Sequence, residues 1–187
     1  MTAGTQLTDA DLAARFRRDP QLFTEVHDRY FATIYRYVAG RLGAQTAEDI
    51  AAETFLVAFD RRSSFDAARG DLRVWLFGIT TNLVARHRRK EARHYRALAR
   101  VGVTPAAEGH ESRVVASVTA ERLMPQLATA LSQLSKGERD VLLLVALGRL
   151  AYDEVAAALG ISPGTVGSRL TRARKKLNSS LTQETHE

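Results

Sequence analysis

The stretch AYDEVAAALGISPGTVGSRLTRARKKL, residues 151–177, predicts two helices joined by a short turn. Gly160 stands where the first helix ends, Ser162 where the second helix is capped, and Pro163 at its first position. Each of these residue types is preferred at that place. Two helices joined by a turn of about three residues have the layout of a helix-turn-helix. The stretch therefore predicts a helix-turn-helix in the C-terminal part of the chain.

The second helix of this pair has one apolar face and one polar, basic face. Apolar residues recur at spacings of four, three and four, at Val166, Leu170, Ala173 and Leu177. The opposite face carries Thr165, Ser168, Arg172 and Lys175, flanked by Arg169, Arg174 and Lys176. A helix in the DNA major groove needs small polar groups near its N-terminus and cations that meet phosphates. The pattern favours DNA binding over a helical hairpin with a solvated basic face.

Charge and composition exclude several classes of function. The 187 residues suit one domain or two compact helical domains. The net charge of +6 favours a polyanionic partner. The absence of cysteine excludes disulfides, thiolate metal sites and cysteine nucleophiles. The five histidines form no HExxH-like pair, so we expect no metal site, no catalytic residue and no cofactor.

The chain predicts helix almost throughout, with four prolines and no alternation of apolar and polar residues over the length of a strand. The expected fold is all-α, with two small helical domains joined by a flexible linker. The domains span residues 7–100 and 120–181, and the linker, rich in small residues, spans 101–119. No apolar run approaches the ~20 residues of a membrane span. Residues 1–16 have neither a basic start nor an apolar stretch, so we expect no secretory signal. We expect a cytoplasmic protein without membrane insertion.

Residues 46–60, TAEDIAAETFLVAFD, predict a helix with an acidic outer face. Thr46 with Asp49 fits a capping box that opens the helix. Ala51, Phe55 and Ala58 share the face towards the core, and the opposite face carries Asp49, Glu53, Leu56 and Asp60. In a basic protein this acidic stripe is a candidate docking site for a basic protein surface, with a merely solvated face as the alternative.

Residues 61–72, RRSSFDAARGDL, predict a loop followed by a helix start, with Asp71 as a candidate cap. Such a polar loop can hold a nucleotide base or serve as a plain connector. The next segment predicts one long helix that has a core stripe and then turns basic from Arg86 to Arg100, with Glu91 as its single acid. The side away from the stripe carries Thr81, Asn82, Ala85, Arg88 and Arg89. Interleaved His87, His94 and Tyr95 suit contact with a phosphate backbone. Trp75 lies on the apolar stripe, so a core role is favoured over base stacking.

Three motifs in this order resemble the extracytoplasmic-function (ECF) sigma factors, the compact group of bacterial RNA polymerase sigma subunits. The motifs are AEDIAAETFLVAF, VWLFGITTNLVARHRR, and LSQLSKGERDVLLL followed by EVAAALGISPGTVGSRLTRARKKL. The resemblance covers residues 23–177. It implies a promoter-specificity subunit that directs core polymerase to −35 and −10 elements, performs no catalysis, and is held inactive by an anti-sigma factor.

The resemblance also implies roles for individual residues. Contacts to the clamp helices of the largest polymerase subunit are expected from Asp49, Glu53 and Leu56. Recognition of the −10 element is expected from Ser63, Ser64, Phe65 and Asp71 in the base-capturing loop and from Asn82, Arg86, Arg88 and Arg89 in the basic helix. Recognition of the −35 element is expected from Thr165, Ser168, Arg169, Arg172, Arg174 and Lys175. The C-terminal domain is expected to bind the flap of the second-largest subunit.

The chain departs from the family's usual pattern at a few positions. The family often has Gln where Ala52 stands, Lys or Arg where Gly167 stands, and an Asp near Ala85. Three other functions stay open at this point. They are a stand-alone helix-turn-helix regulator, a small nucleic-acid enzyme, and a polymerase-binding factor that never reads DNA.

Overall fold

The computed structural model describes residues 7–67, 71–100 and 124–183. The helices are α1 (Asp9–Phe16), α2 (Phe23–Leu42), α3 (Ala44–Asp60), α4 (Leu72–Arg86), α5 (Arg88–Arg100), α6 (124–133), α7 (Lys136–Ala146), α8 (Tyr152–Leu159) and α9 (Pro163–Gln183). Short 3₁₀ turns occupy Pro20–Leu22 and Arg62–Ser64. These ranges contain no strand, and the all-α prediction is confirmed. The predicted linker, residues 101–119, lies outside the described residues.

A hairpin of α2 and α3 is the frame of the N-terminal block, residues 7–100. Gly43 has φ 83° and donates its N–H to Ala39 O at 3.0 Å, which ends α2. This left-handed φ is readily adopted by glycine. Phe23 at the start of α2 meets Phe59 at the end of α3 with ring centroids 5.2 Å apart, so the two helices run antiparallel.

The predicted start of α3 is wrong. The helix begins at Ala44 directly after Gly43, and no side chain caps it. Thr46 and Asp49 therefore lie inside the helix and do not form a capping box. The tight Gly43 turn replaces the cap because it starts α3 as soon as α2 ends. The predicted inward face is confirmed, with Ala51, Phe55 and Ala58 all buried.

The predicted long basic helix is also wrong, because it breaks at His87. The His87 backbone has φ −97° and ψ 25°, and its N–H donates to Val84 O. The chain then starts α5 in a new direction. This break brings the buried Tyr95 against α2, where its hydroxyl donates to Gly40 O at 3.2 Å. Tyr95 is thus a core residue and not a phosphate contact.

The C-terminal block, residues 124–183, packs directly against the N-terminal block. One hydrophobic core continues from α2, α3 and α4 into α7, α8 and α9. At the boundary α8 lies on α4 so closely that a Cβ on Gly78 would come within 2.8 Å of Ala158 O. Arg73 of α4 donates to the carbonyls of Gly148 and Arg149 across the same boundary.

A buried charge lies at the centre of this boundary. The side chain of Arg41 is only 1% exposed and is paired with two carboxylates. Its Nε lies 2.7 Å from Glu91 Oε1 of α5, and its Nη2 lies 2.7 Å from Asp140 Oδ1 of α7. Arg139, next to Asp140, reaches back to Glu91 Oε2 at 3.1 Å. We call Arg41, Glu91, Arg139 and Asp140 the Arg41 cluster.

The neighbourhood of Arg41 keeps its guanidinium charged. Burial by itself lowers the pKa of Arg41, but Tyr37, Glu91 and Asp140 outweigh it and raise the pKa well above its ordinary value. Arg41 Nη1 donates to the Tyr37 hydroxyl at 2.7 Å, and this hydroxyl lies 3.0 Å from Thr81 Oγ1. Thr81 is therefore buried, although the sequence had predicted it on the outward side of α4.

We expect Arg41→Ala to lower the free energy of unfolding by about 3–5 kcal/mol, because it empties the space of a buried side chain and removes from Glu91 and Asp140 the cation that they share, leaving them only Arg139 and Lys136. Arg36→Ala is the matched control, since Arg36 lies on the same helix and is exposed. Its effect is expected to stay within about 0.5 kcal/mol. Urea denaturation followed by circular dichroism measures both. Equal losses for the two variants would show that the cluster is not a stabilising element.

Candidate nucleic-acid interface

The turn between α8 and α9 has the geometry that its residues predicted. Gly160 closes α8 with φ 63° and ψ 38°, and Ile161 donates its N–H to Ala156 O at 3.0 Å. Ser162 Oγ then accepts from the N–H of Thr165 at 3.2 Å, which caps α9. Pro163 is the first residue of α9. The helix-turn-helix is confirmed.

The predicted faces of α9 are found in the structure. Val166, Leu170 and Ala173 are buried against α7 and α8, and Leu177 is partly buried. Ser168, Arg172, Arg174 and Lys175 are exposed, whereas Thr165 and Arg169 are half-buried. The half-buried residues have local partners. Thr165 Oγ1 lies 2.9 Å from Ser162 Oγ, and the guanidinium of Arg169 packs over Gly137 of α7.

A buried carboxylate on α7 holds two cations of α9. Glu138 Oε2 accepts from Lys176 Nζ at 2.7 Å, and Glu138 Oε1 lies 3.6 Å from Arg172 Nε. The Glu138 carboxylate also accepts from the N–H of Ser135 at 2.9 Å, in a capping box that starts α7. The hydrogen bond from Lys176 is the main reason why the pKa of Glu138 falls to about 2. Glu138 therefore stays ionised and forms a loose ion pair with the exposed Arg172.

The sequence prediction did not include Glu138. The SKGE pattern at residues 135–138 signals a capping box, but it does not show that the same carboxylate reaches α9. The helix begins at Lys136, directly after the capping Ser135.

The predicted −10 residues of the basic segment lie on two helices. Asn82 and Arg86 are exposed near the end of α4, and Arg88 and Arg89 are exposed at the start of α5. Arg86 Nη1 lies 3.9 Å from Glu53 Oε1, a loose ion pair between exposed groups. On α5 an open groove is lined by Arg88, Arg89, Ala92, Arg93 and Arg96. None of these arginines pairs with an acidic residue of the described ranges, so their charge faces solvent.

The predicted base-capturing loop is partly anchored in the core. Phe65 is 3% exposed and meets the half-buried Trp75 edge-on, with centroids 5.4 Å apart. Ser63 and Ser64 are exposed, and Ser64 Oγ donates to Arg61 O. Asp71 is exposed at the N-cap position of α4 without a side-chain bond to the helix. Residues 68–70 lie outside the described ranges. The core role predicted for Trp75 is confirmed.

The acidic stripe on α3 surrounds an exposed leucine. Leu56 is 63% exposed, the highest value among the large exposed apolar residues of the described ranges. Asp49 and Asp60 are exposed on the same helix, and Glu53 is half-exposed. An exposed leucine between carboxylates is suited to a partner surface that offers both apolar contact and positive charge.

Among the described residues, no helix has the length and apolar character needed to cross a bilayer. Within the same ranges, no group of three or more His, Asp or Glu side chains is placed to hold a metal ion.

The two blocks match two family models. The Sigma-70 region 2 model matches residues 22–94, and the Sigma-70, region 4 model matches residues 125–177. The ECF RNA polymerase sigma factor SigC of Mycobacterium tuberculosis is 32% identical over 154 residues, which cover 77% of this chain and 75% of that protein. The ECF RNA polymerase sigma factor SigW of Bacillus subtilis is 31% identical over 170 residues, which cover 87% of this chain and 90% of that protein. This chain belongs to the ECF RNA polymerase sigma factors.

Solved structures support the fold of this sigma factor. CnrH, solved in complex with the cytosolic domain of CnrY, has 25% identity and a TM-score of 0.64, with 94% of this chain and 97% of that chain covered. RpoE from Bartonella quintana, solved with the anti-sigma factor NepR, has 24% identity and a TM-score of 0.58. The alignment covers 86% of this chain and 96% of that chain. The family places the chain among promoter-directing subunits of RNA polymerase, and a stand-alone regulator is not favoured.

Each family match contains different candidate surfaces of the sigma factor. The region 2 match contains the acidic stripe, the loop after Arg61 and the exposed end of α4. The region 4 match contains the helix-turn-helix together with Glu138. The basic outer face of α9 and the exposed cations of α4 and α5 are both accessible while the two blocks are packed together.

We expect Glu138→Gln to destabilise the sigma factor in a pH-dependent way. The folded pKa of about 2 lies below the ordinary 4.5, so the stabilisation by Glu138 is complete above about pH 4.5 and is lost as the pH falls towards 2. The difference in unfolding free energy between wild type and variant should therefore shrink between pH 5 and pH 3. Urea titrations at several pH values measure it. Glu48→Gln, at an exposed site on α3, is the control, and an equally large pH dependence there would contradict the assignment to Glu138.

Proposed function

We propose that this sigma factor reads a −35 element with α9 and a −10 element with the N-terminal block. The proposal is carried above all by the outer face of α9, the second helix of the helix-turn-helix. Ser168, Arg172 and Lys175 are exposed on this face. Side chains at the start of such a helix meet base edges, and the cations that follow meet phosphates. Arg169 and Arg174 flank this face as further phosphate contacts, and Thr165 stands at its start.

In the N-terminal block, Asn82 and Arg86 of α4 would face the −10 element, and Arg88 and Arg89 would meet its phosphates. The loop of Ser63, Ser64, Phe65 and Asp71 would hold a base that has left the stack. Unpairing and unstacking cost a few kcal/mol, which contacts to the extruded base offset. Because Phe65 is buried against Trp75, we assign it the role of anchoring the loop, while the exposed Ser63 and Ser64 face the base.

Core RNA polymerase would be bound at two places. Leu56 with Asp49 and Glu53 would dock on the clamp helices of the largest subunit, and the C-terminal block would dock on the flap of the second-largest subunit. The sigma factor would act in the cytoplasm with the polymerase, which supplies all catalysis. An anti-sigma factor is a further expected partner, in keeping with the relatives that were solved with CnrY and NepR.

Run-off transcription with core polymerase on a library of genomic promoters tests this function. We expect transcripts only when the sigma factor is present, and their start sites should share two upstream elements. Arg172→Ala and Ser168→Ala should each cost about 1–3 kcal/mol at individual −35 base pairs. Arg18→Ala, at an exposed arginine outside both family matches, is the control.

Three other results would contradict the proposal. A footprint on the promoter without polymerase would indicate a stand-alone regulator. Unchanged −35 preference in both α9 variants would indicate a polymerase-binding factor that never reads DNA. Turnover of nucleic acid by the isolated protein would indicate an enzyme.

We expect Leu56→Ala to weaken binding to the isolated clamp coiled coil by about tenfold or more, because central apolar contacts at interfaces commonly contribute more than about 1 kcal/mol. The matched control is Leu127→Ala, since Leu127 is an exposed leucine of α6 that is 38% accessible. Fluorescence anisotropy measures the dissociation constants. Equal affinity of the two variants would remove Leu56 from the docking surface.

A further inference from the structure

A cavity of about 390 Å³ lies where the turn between α7 and α8 meets α2 and α4. Three arginines line it, Arg36 of α2, Arg73 of α4 and Arg149 of the turn. No carboxylate is found among the described residues that line it. The cavity lies outside the surfaces that we assign to promoter DNA and to polymerase.

Within the described part of the chain, none of these three arginines forms an ion pair. The arginines that do so are Arg29, Arg41, Arg86, Arg139 and Arg172. Like charges around one cavity repel each other, so an anion in the cavity would lower the energy of the arrangement. The planar guanidinium offers a fork of N–H donors that matches the oxygens of a phosphate group.

Hydrogen bonds to the backbone hold two of the guanidiniums at the cavity. Arg73 donates across the boundary between the blocks to the carbonyls of Gly148 and Arg149. Arg36 Nε donates to Ala32 O of the same helix at 3.2 Å. Donors that are already held in place lose less conformational freedom when a ligand binds. The cavity is therefore partly preorganised for an anion.

The backbone of the third arginine is strained. Arg149 has φ 52°, and it is the only non-glycine residue of the described ranges with a positive φ. It follows the end of α7, at a place where helices commonly have glycine. Arginine adopts this left-handed conformation at a higher energy than glycine, because its Cβ comes close to a carbonyl oxygen. Such strain is typical of ligand sites, and here it adds a cation to the wall of the cavity.

The remaining lining limits the size and the chemistry of the ligand. Ala146 and Leu147 form an apolar wall, and Leu147 is 41% exposed. The volume falls within the range of about 300–1,000 Å³ that is usual for small-molecule sites. A single phosphate group carries a charge of only about −1.5 to −2, so three guanidiniums favour an anion with two linked phosphates.

We propose that this cavity binds a diphosphate group, which belongs to a nucleotide or is inorganic pyrophosphate. Arg36, Arg73 and Arg149 donate to the phosphate oxygens, and the wall of Ala146 and Leu147 lies beside the nucleoside when a nucleotide is bound. The site exists only in the folded chain, since α2, α4 and the turn after α7 all contribute to it. Bound diphosphate therefore raises the melting temperature by mass action.

Isothermal titration calorimetry on the full-length protein at low ionic strength tests the site. The probes are ADP, inorganic pyrophosphate and inorganic phosphate. We expect one diphosphate per chain, and at least tenfold weaker binding of phosphate because it reaches fewer guanidiniums. Tighter binding of ADP than of pyrophosphate would assign the site to a nucleotide, and equal or weaker binding of ADP would assign it to the inorganic anion. Failure of both diphosphates to bind would overturn the proposal.

Arg149→Gly is the decisive variant, because it removes the guanidinium and relieves the backbone strain. The relief exceeds the extra entropy that glycine loses on folding, so the melting temperature without ligand should rise by up to about 4 °C. The affinity for the diphosphate should nevertheless fall tenfold or more. Arg36→Ala should cause a similar loss of affinity while the free energy of unfolding stays nearly unchanged.

Arg18→Ala is the matched control, since it removes one exposed arginine and lowers the net charge by the same amount. It should leave the affinity unchanged. An equal loss in Arg18→Ala would mean that the whole basic protein attracts the anion and would overturn the site. Unchanged affinity in both Arg149→Gly and Arg36→Ala, or a loss that appears only in Arg93→Ala of the α5 groove, would also overturn it.

Discussion

The buried guanidinium of Arg41 is the constraint around which the two blocks are arranged. Arginine cannot lose its charge in a protein interior, so burial at 1% exposure requires carboxylates close by. One comes from α5 and the other from α7. The first requires the chain to turn at His87 so that Glu91 faces α2, and the second brings the C-terminal block against the N-terminal one.

This arrangement also places acidic and basic side chains in different environments. Glu91, Glu138 and Asp140 are buried and neutralised by arginine or lysine. The arginines on the groove side of α5 and the cations of α9 remain exposed. These two surfaces are therefore more basic than a net charge of +6 suggests, and the acidic stripe around Leu56 stays separate on α3. The sigma factor thus carries basic and acidic surfaces in separate places, as the proposed contacts to DNA and to polymerase require.

The predictions from sequence were right where the signals are local. The turn at Gly160, the cap at Ser162 and the buried stripe of α9 depend on residues a few positions apart, and all were found. The predictions failed where the local structure depends on residues that are distant in the sequence. The α4–α5 break, the burial of Thr81 and Tyr95, and the pairing of Glu91 depend on Tyr37, Gly40 and Arg41 of α2. Periodicity along one helix cannot show which neighbour it will meet.

The sequence by itself determined the helical class, the helix-turn-helix, the exposed acidic stripe and the family, because helix periodicity, capping residues and contiguous motifs are properties of short segments. Only the tertiary structure decided that Glu138 pairs with Arg172, that Phe65 is buried against Trp75, and that two blocks share one core and one charge cluster. These features join residues that are 10 to 99 positions apart along the chain. Packing and the need to pair buried charges determine which of these distant residues meet, and a local sequence pattern contains no information about either.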